Sequence, residues 1–223
     1  MSQKGQRTTS DYLPIAEYYR LLQCLRKDRL FRWEAYCKVS FCTALRVSDV
    51  RTTKWKDILN ISEFIKVEQK TGKTRIIQIN QEIRNDILQM YHILGEPDPE
   101  LSVIHNLFGG APCSSQYINR KLKWFRGRYR LKIKRFSSHT FRKTFGRHVY
   151  EILGRTPDAL VRLSQIFGHK SIDTTRRYIG LDQEDIVQVF DSLSFHVPDR
   201  RPHTKVRRKK GKSSTGLPSE IDA

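Results

Sequence analysis

The sequence predicts a mainly α-helical domain carrying one small antiparallel β-hairpin, an α+β fold. Three observations predict it. Apolar residues recur at helical spacing in several separate segments of the chain. Two of the later segments are punctuated by hydroxyl N-caps, a proline at a first helical position and a closing glycine. Strand character is confined to two short runs flanking QKTGKT, with Gly72 at the turn between them.

Residues 1–10 (MSQKGQRTTS) are polar and expected to be unstructured. From Asp11 to Arg29, Leu13, Ile15, Tyr18, Leu21, Leu22 and Leu25 make the apolar stripe of an amphipathic helix. A second helical run, Phe31 to Leu45, contains Trp33, Tyr36, Val39, Phe41 and Cys42. It leads into TALRVSDVRTTKW, where Ser48 is expected to cap a short helix through Arg51. Arg46 lies there between apolar Leu45 and Val47, and a cation amid core residues is costly without an anionic partner. Two partners fit equally: a bound anion, or a salt bridge to Asp49 or Asp57. The strands are Phe64–Glu68 and Arg75–Ile79, and the hairpin tip offers Lys70 and Lys73, for which plain solvation is the default reading. Gln81 to Leu94 returns to helix, and GEPDPE is a loop.

Between Asn119 and Phe136 stand nine Lys or Arg and no acid, interleaved with Trp124, Phe125 and Tyr129. A solvated helix face normally mixes signs, so Arg120, Lys121, Lys123, Arg126 and Arg128 are read as phosphate-backbone contacts, with the aromatics as core. In HTFRKTFGRHVY, His139 and Arg142 are three apart on one helix and can address one anion together. Thr156-Pro157-Asp158 starts a helix with Leu160, Leu163, Ile166 and Phe167 at core spacing, and Gly168 ends it. His169 follows the stop; Ser171 caps a short helix on which Thr174, Thr175 and Tyr178 fall about one turn apart. Asp182 is expected to cap a last helix to residue 195, with Ile186, Val189, Phe190 and Leu193 inward. A basic tail, 196–223, is expected to be disordered.

The 223 residues suffice for a substantial core, and their apolar share of 38% with 10% aromatics is that of a globular protein. A net charge of +19 points to a polyanion, most simply nucleic acid. No apolar run approaches a membrane span and no signal peptide opens the chain, so a cytoplasmic location is expected, nucleoid-associated in a bacterium. Cys24, Cys37, Cys42 and Cys113 include no C-x-x-C pair and are read as reduced thiols; no metal site is expected.

Arg46, Lys70, His139, Arg142, His169 and Tyr178 together suit one task, transesterification at a phosphodiester without metal. Arginines clamp non-bridging oxygens and stabilise developing charge. Tyrosine, weakly nucleophilic at its usual pKa of about 10, needs a base such as His139, and a lysine can protonate the departing sugar oxygen. His169 can donate a further bond to phosphate. The carboxylate clusters of a two-metal nuclease are not evident.

TALRVSDV, QKTGKTR, HTFRKTFGRH and FGHKSIDTTRRY, in this order and at these intervals, resemble the catalytic domain of the tyrosine recombinases, the phage-integrase family, over Asp11 to Leu193. The QKTG hairpin is most similar to integrases of Bacteroides-type mobile elements. The resemblance implies that Arg46 is the first catalytic arginine, Lys70 (with Lys73 as fallback) the hairpin lysine, His139 and Arg142 the H-x-x-R pair, His169 the late histidine and Tyr178 the nucleophile. Lys143 stands where many members have a second histidine, and His148 is read as structural. Lys143, Arg176 and Arg177 are further expected DNA contacts. Also implied are double-stranded DNA as partner, a 3′-phosphotyrosyl intermediate, a Holliday junction, a tetramer on DNA, accessory DNA-bending proteins and no cofactor. Residues 11–195 would form the catalytic domain, with the usual core-binding domain absent. The chain is therefore expected to be a catalytic fragment or a naturally short recombinase like the fimbrial-switch invertases. Rivals are a type IB topoisomerase-like nicking-closing enzyme and a noncatalytic DNA-binding regulator. An RNA-binding reading leaves the ordered motifs unexplained.

Overall fold

The computed structural model describes residues 10–182 together with 187, 190 and 191. Residues 1–9, most of the helix expected over 182–195 and the basic tail lie outside the described residues.

The first helix, α1 (Ile15–Lys27), starts later than its apolar pattern. Pro14 holds the N-cap position, and the preceding residues run extended: Asp11 exchanges backbone and carboxylate hydrogen bonds with Arg135 at 3.1 and 3.0 Å. Helix α2 (Phe31–Thr43) lies centrally, packed on α1, on α4 (Gln81–Ile93) and on α6 (Ser138–Ile152). This explains why Trp33, Tyr36, Cys37 and Val39 are buried at positions no single stripe would join. The helix stops at Ala44, a left-handed C-cap with φ 48°. A four-residue helix, α3 (Val47–Val50), follows, with Arg46 and not Ser48 at its N-cap position and no side chain capping it. The Ser48 carbonyl accepts the Thr52 hydroxyl at 3.3 Å.

β1 (Glu63–Val67) and β2 (Thr74–Gln78) pair antiparallel, with Ile65 opposite Ile76 and Lys66 opposite Arg75. Their facing alternates along each strand. Ile65, Val67 and Ile76 are exposed, whereas Phe64, Ile77 and Glu68 are buried. The inner face carries charge because it closes over a cluster of arginines described below.

Asn80 caps α4, and Ser114 caps α5 (Ser115–Arg128). The C-terminal third follows its sequence signals. The Thr156 side chain accepts the Ala159 N–H at 3.2 Å with Pro157 opening α7 (Pro157–Phe167), and Gly168 closes it at φ 62°. The Ser171 side chain accepts the Thr174 N–H at 3.2 Å to start α8 (Ile172–Ile179). The main core lies among α1, α2, α4, α5 and α6, and all four cysteines are free. A smaller core of Leu160, Leu163, Phe167 and Ile179 joins α7 and α8 to α6.

Gly146 is the hinge of that join. A Cβ there would stand 2.7 Å from the Phe167 ring and 2.8 Å from Ile179. Gly146→Ala is therefore expected to wedge α6 away from α7 and α8 despite alanine's better helix propensity. Overpacking of this kind costs about 1–3 kcal/mol, read as a lower thermal midpoint. An unchanged midpoint would show that this approach is looser than it looks.

Candidate active site

The six residues singled out in the sequence come from five places in the fold, and the ends of elements hold most of them. The Ser137 hydroxyl accepts the His139 N–H at 3.3 Å, which starts α6 and leaves the His139 side chain exposed on its first turn. Arg142, one turn later, is 2% exposed. Its guanidinium spans two helix ends, donating to the Ala44 carbonyl at 2.5 Å and the Phe167 carbonyl at 2.8 Å. Its carbon lies 4.5 Å above the Phe167 ring. The left-handed turn at Ala44 and the stop at Gly168 present those carbonyls. Burial pushes the Arg142 pKa down to about 10, which leaves it charged at neutral pH.

Arg46 resolves differently from either salt bridge considered in the sequence. Its partner is Glu68, at 2.5 Å, on the inner face of the hairpin. Asp49 instead accepts the Gln69 N–H at 2.9 Å, and Asp57 accepts the Lys54 N–H at 2.9 Å. Glu68 is 2% exposed; its carboxylate also accepts the Thr71 hydroxyl at 2.6 Å and lies 3.7 Å from Arg75. Burial raises the Glu68 pKa, but Thr71, Arg46 and Arg75 outweigh it, so the carboxyl is held below its ordinary value. The contact with Arg46 is ionic rather than an aligned hydrogen bond, because Arg46 Nη1 makes none. Arg75 shares the Ala44 carbonyl with Arg142, at 3.5 Å. Glu68 and Arg75 were missed as site residues. The available signal was an acid and an arginine in strand positions shared with Phe64 and Ile77.

Tyr178 lies half-buried on α8, its hydroxyl buried and without a hydrogen-bond partner among the described residues. Burial raises its pKa, and the charges of Arg142 and then Arg46 pull against that rise. The phenol is therefore protonated at neutral pH and needs a base to attack. The His169 ring stands edge-on to it at 5.2 Å, with Nδ1 2.9 Å from the Thr175 hydroxyl. Burial, then Arg142 and Arg46, push the His169 pKa down to about 4, so the ring is neutral. If Thr175 donates to Nδ1, the ring's own proton sits on Nε2 as a donor. His139 is lowered by partial desolvation and then by Arg142, Lys143, Arg46 and Lys70, which places Lys70 in the same field. Lys70 is exposed at the hairpin tip, as is Lys73. No hydrogen bond joins His139 directly to Tyr178 among the described residues.

A base must be unprotonated, and desolvation, then Arg142, holds the His139 pKa below its ordinary value. Cleavage is thus expected to persist to lower pH than an ordinary histidine base would allow before it declines, and His139→Ala should remove that acid limb. A limb centred above the ordinary histidine range would contradict this environment for the base.

The expected DNA contacts divide. Arg120, Lys123 and Arg126 are exposed on α5 and Lys121 is half-buried. Arg128 is exposed but held by Asp28 at 2.7 Å. Trp124 corrects the reading of the aromatics as core: it is 48% exposed, with Lys121 and Arg128 at 5.4 and 5.2 Å over its ring. Lys143 lies apart from these. It is 8% exposed, its ammonium 5.3 Å from the Tyr178 ring, so it faces the site's tyrosine rather than an outer surface. Desolvation lowers its pKa. Arg176 and Arg177 both reach Asp182, at 3.6 and 4.0 Å.

Among the described residues no helix is long and apolar enough to cross a membrane, and no group of three His, Cys, Asp or Glu side chains could hold a metal ion. Comparison with known proteins agrees with the fold. The probable integrase/recombinase YoeC of Bacillus subtilis is 30% identical over 142 residues, covering 64% of this chain and 74% of that protein. The tyrosine recombinase XerH of Campylobacter jejuni is 25% identical over 75% of this chain, which spans 47% of its length. Among solved structures, XerH recombinase bound to palindromic difH substrate superposes with a TM-score of 0.63 at 17% identity, over 86% of this chain and 55% of that one. Residues 11–185 match the Phage integrase family, and the chain belongs to it.

Proposed function

We propose that this chain is a site-specific DNA recombinase that cleaves and rejoins strands through a 3′-phosphotyrosyl intermediate, with residues 11–195 as its catalytic unit. One observation carries the reading. The only phenol among Arg46, Arg142 and His169 has a buried hydroxyl with no hydrogen-bond partner among the described residues. A DNA phosphate there would accept from both guanidiniums while receiving attack from Tyr178.

In this reading the Tyr178 oxygen bonds to phosphorus and its proton passes to His139, through a water where no direct bond exists. The bond from phosphorus to the 5′ oxygen breaks, and Lys70 returns a proton to that oxygen. Arg46 and Arg142 hold the non-bridging oxygens as charge builds, with a donor from His169. The phosphotyrosyl ester keeps the energy of the broken bond, so a 5′-hydroxyl from a second strand reverses the step without cofactor or metal. Double-stranded DNA is the partner, met in part by exposed Arg120, Lys123 and Arg126 on α5. Strand exchange then implies a tetramer on DNA, aided by accessory bending proteins and working at the nucleoid of a bacterial host. The QKTG hairpin supports an origin in a Bacteroides-type mobile element.

Strand transfer between two differently labelled duplexes, each carrying a candidate site from the flanking DNA, tests the reading. A four-way junction carrying both labels is expected. Relaxation of supercoils with no joint product would instead identify a nicking-closing enzyme.

A further inference from the structure

We infer that Glu68 is a positioning residue whose carboxylate, through Thr71, sets where Lys70 stands relative to Arg46. The inference rests on the reading of Lys70 as the acid for the departing strand.

Among the described residues Lys70 makes no hydrogen bond or ion pair, and it lies at the exposed tip of a two-stranded hairpin whose outer residues Ile65, Val67 and Ile76 are also exposed. Such a tip would wander. Its neighbours are nevertheless pinned. On one side the Gln69 N–H donates 2.9 Å to Asp49, a fully buried carboxylate at the end of α3. On the other, the Thr71 hydroxyl donates 2.6 Å to Glu68, whose carboxylate also meets Arg46 at 2.5 Å. The Glu68 backbone closes the loop itself, donating to Lys73 at 3.0 Å and accepting from Gly72 at 2.9 Å. One side chain therefore joins the turn that bears the lysine to the arginine expected to clamp the phosphate.

The energetic case is as direct. An acid on the inner face of a strand, 2% exposed, is costly to bury unless its partners compensate. A structural ion pair could have been placed anywhere along the hairpin. This one stands two residues before Lys70 and accepts the hydroxyl of the residue after it, so the turn is tied to the charge pair through Thr71. General acids act within hydrogen-bond reach of the proton's destination, and a loosened tip loses that placement without losing the lysine.

The test compares two substrates. In an ordinary nicked duplex the leaving atom is oxygen and needs Lys70's proton. In a duplex with a 5′-bridging phosphorothiolate the bond from phosphorus to sulfur breaks and sulfur departs as a thiolate, which needs no proton because thiols ionise near pH 8.5. Glu68→Ala and Thr71→Val would be measured beside Lys70→Ala and wild type, by covalent adduct formation. Lys70→Ala should slow the ordinary substrate by about 10²–10⁴-fold, Glu68→Ala by roughly 10–100-fold and Thr71→Val by less, all three recovering near wild-type rates on the phosphorothiolate. Thr71→Val leaves the contact with Arg46 in place, so its recovery separates lysine placement from arginine support. Recovery also proves the variants folded. Equal losses on both substrates, or no loss on the ordinary one, would overturn the inference while wild type still forms its adduct. A wild type forming no adduct on either substrate would overturn the phosphotyrosyl reading and this inference with it.

Discussion

Arg142→Ala is expected to lower the rate of strand cleavage by about 10²–10³-fold or more, the usual cost of removing one donor aimed at developing charge. The loss has two physical parts. The guanidinium supplies positive charge beside the Tyr178 hydroxyl, and it ties the Ala44 and Phe167 carbonyls together across two helix ends. Removing it leaves both carbonyls without that donor and unlinks α2 from α7. Arg142→Lys separates the parts. A lysine keeps the charge but cannot reach two carbonyls with a planar fork, so it should recover only a fraction of the rate. Single-turnover cleavage of a nicked duplex measures both, and wild-type rates from Arg142→Ala would remove Arg142 from the proposed machinery.

Tyr178→Phe should abolish covalent attachment altogether and leave noncovalent DNA binding nearly intact, because only one oxygen is lost. Stability offers a second readout. The hydroxyl is buried and finds no hydrogen-bond partner among the described residues, so its removal discards a desolvated polar group and leaves the ring's contacts with Phe167 and His169 in place. The thermal midpoint should therefore be unchanged or slightly raised, unlike the typical core substitution. A variant that still forms an adduct would show that another side chain attacks the phosphate. One that melts well below wild type would show that the hydroxyl is structurally bonded.

Much of the fold was legible because helix ends are written in local chemistry. Thr156 with Pro157, Ser171, Gly168 and the turn at Gly72 all act where their residue types place them. The site was legible as a set of residue types at characteristic intervals, and the fold brings Arg46, Arg142, His169 and Tyr178 together. What could not be read was which neighbour each charge would meet. Arg46 had two nearby acids in sequence, yet its partner is Glu68 from a hairpin that folds back over it. Alternation in FIKVE marks a strand but not its inward face. Here the inner face closes over arginines, so Glu68 turns in while Ile65 and Val67 remain outside. The surroundings of Lys143 and Trp124 could not be read for a related reason. Helical spacing locates a residue on a face, while α8 and its tyrosine decide that the face of α6 bearing Lys143 is covered. Nothing comparable among the described residues packs over Trp124, which stands beside its neighbouring cations. The starting residues of α1 were lost to a tertiary contact, the Asp11 pairing with Arg135.

The central claim is that Tyr178 becomes esterified to DNA. Its most direct measurement is incubation of wild-type protein with nicked duplexes carrying candidate target sites, without added metal, followed by denaturing electrophoresis and peptide mapping of any adduct. The account predicts a covalent complex whose nucleotide remnant maps to the peptide containing Tyr178. Tight, salt-sensitive binding with no adduct, or an adduct on any other residue, would contradict it.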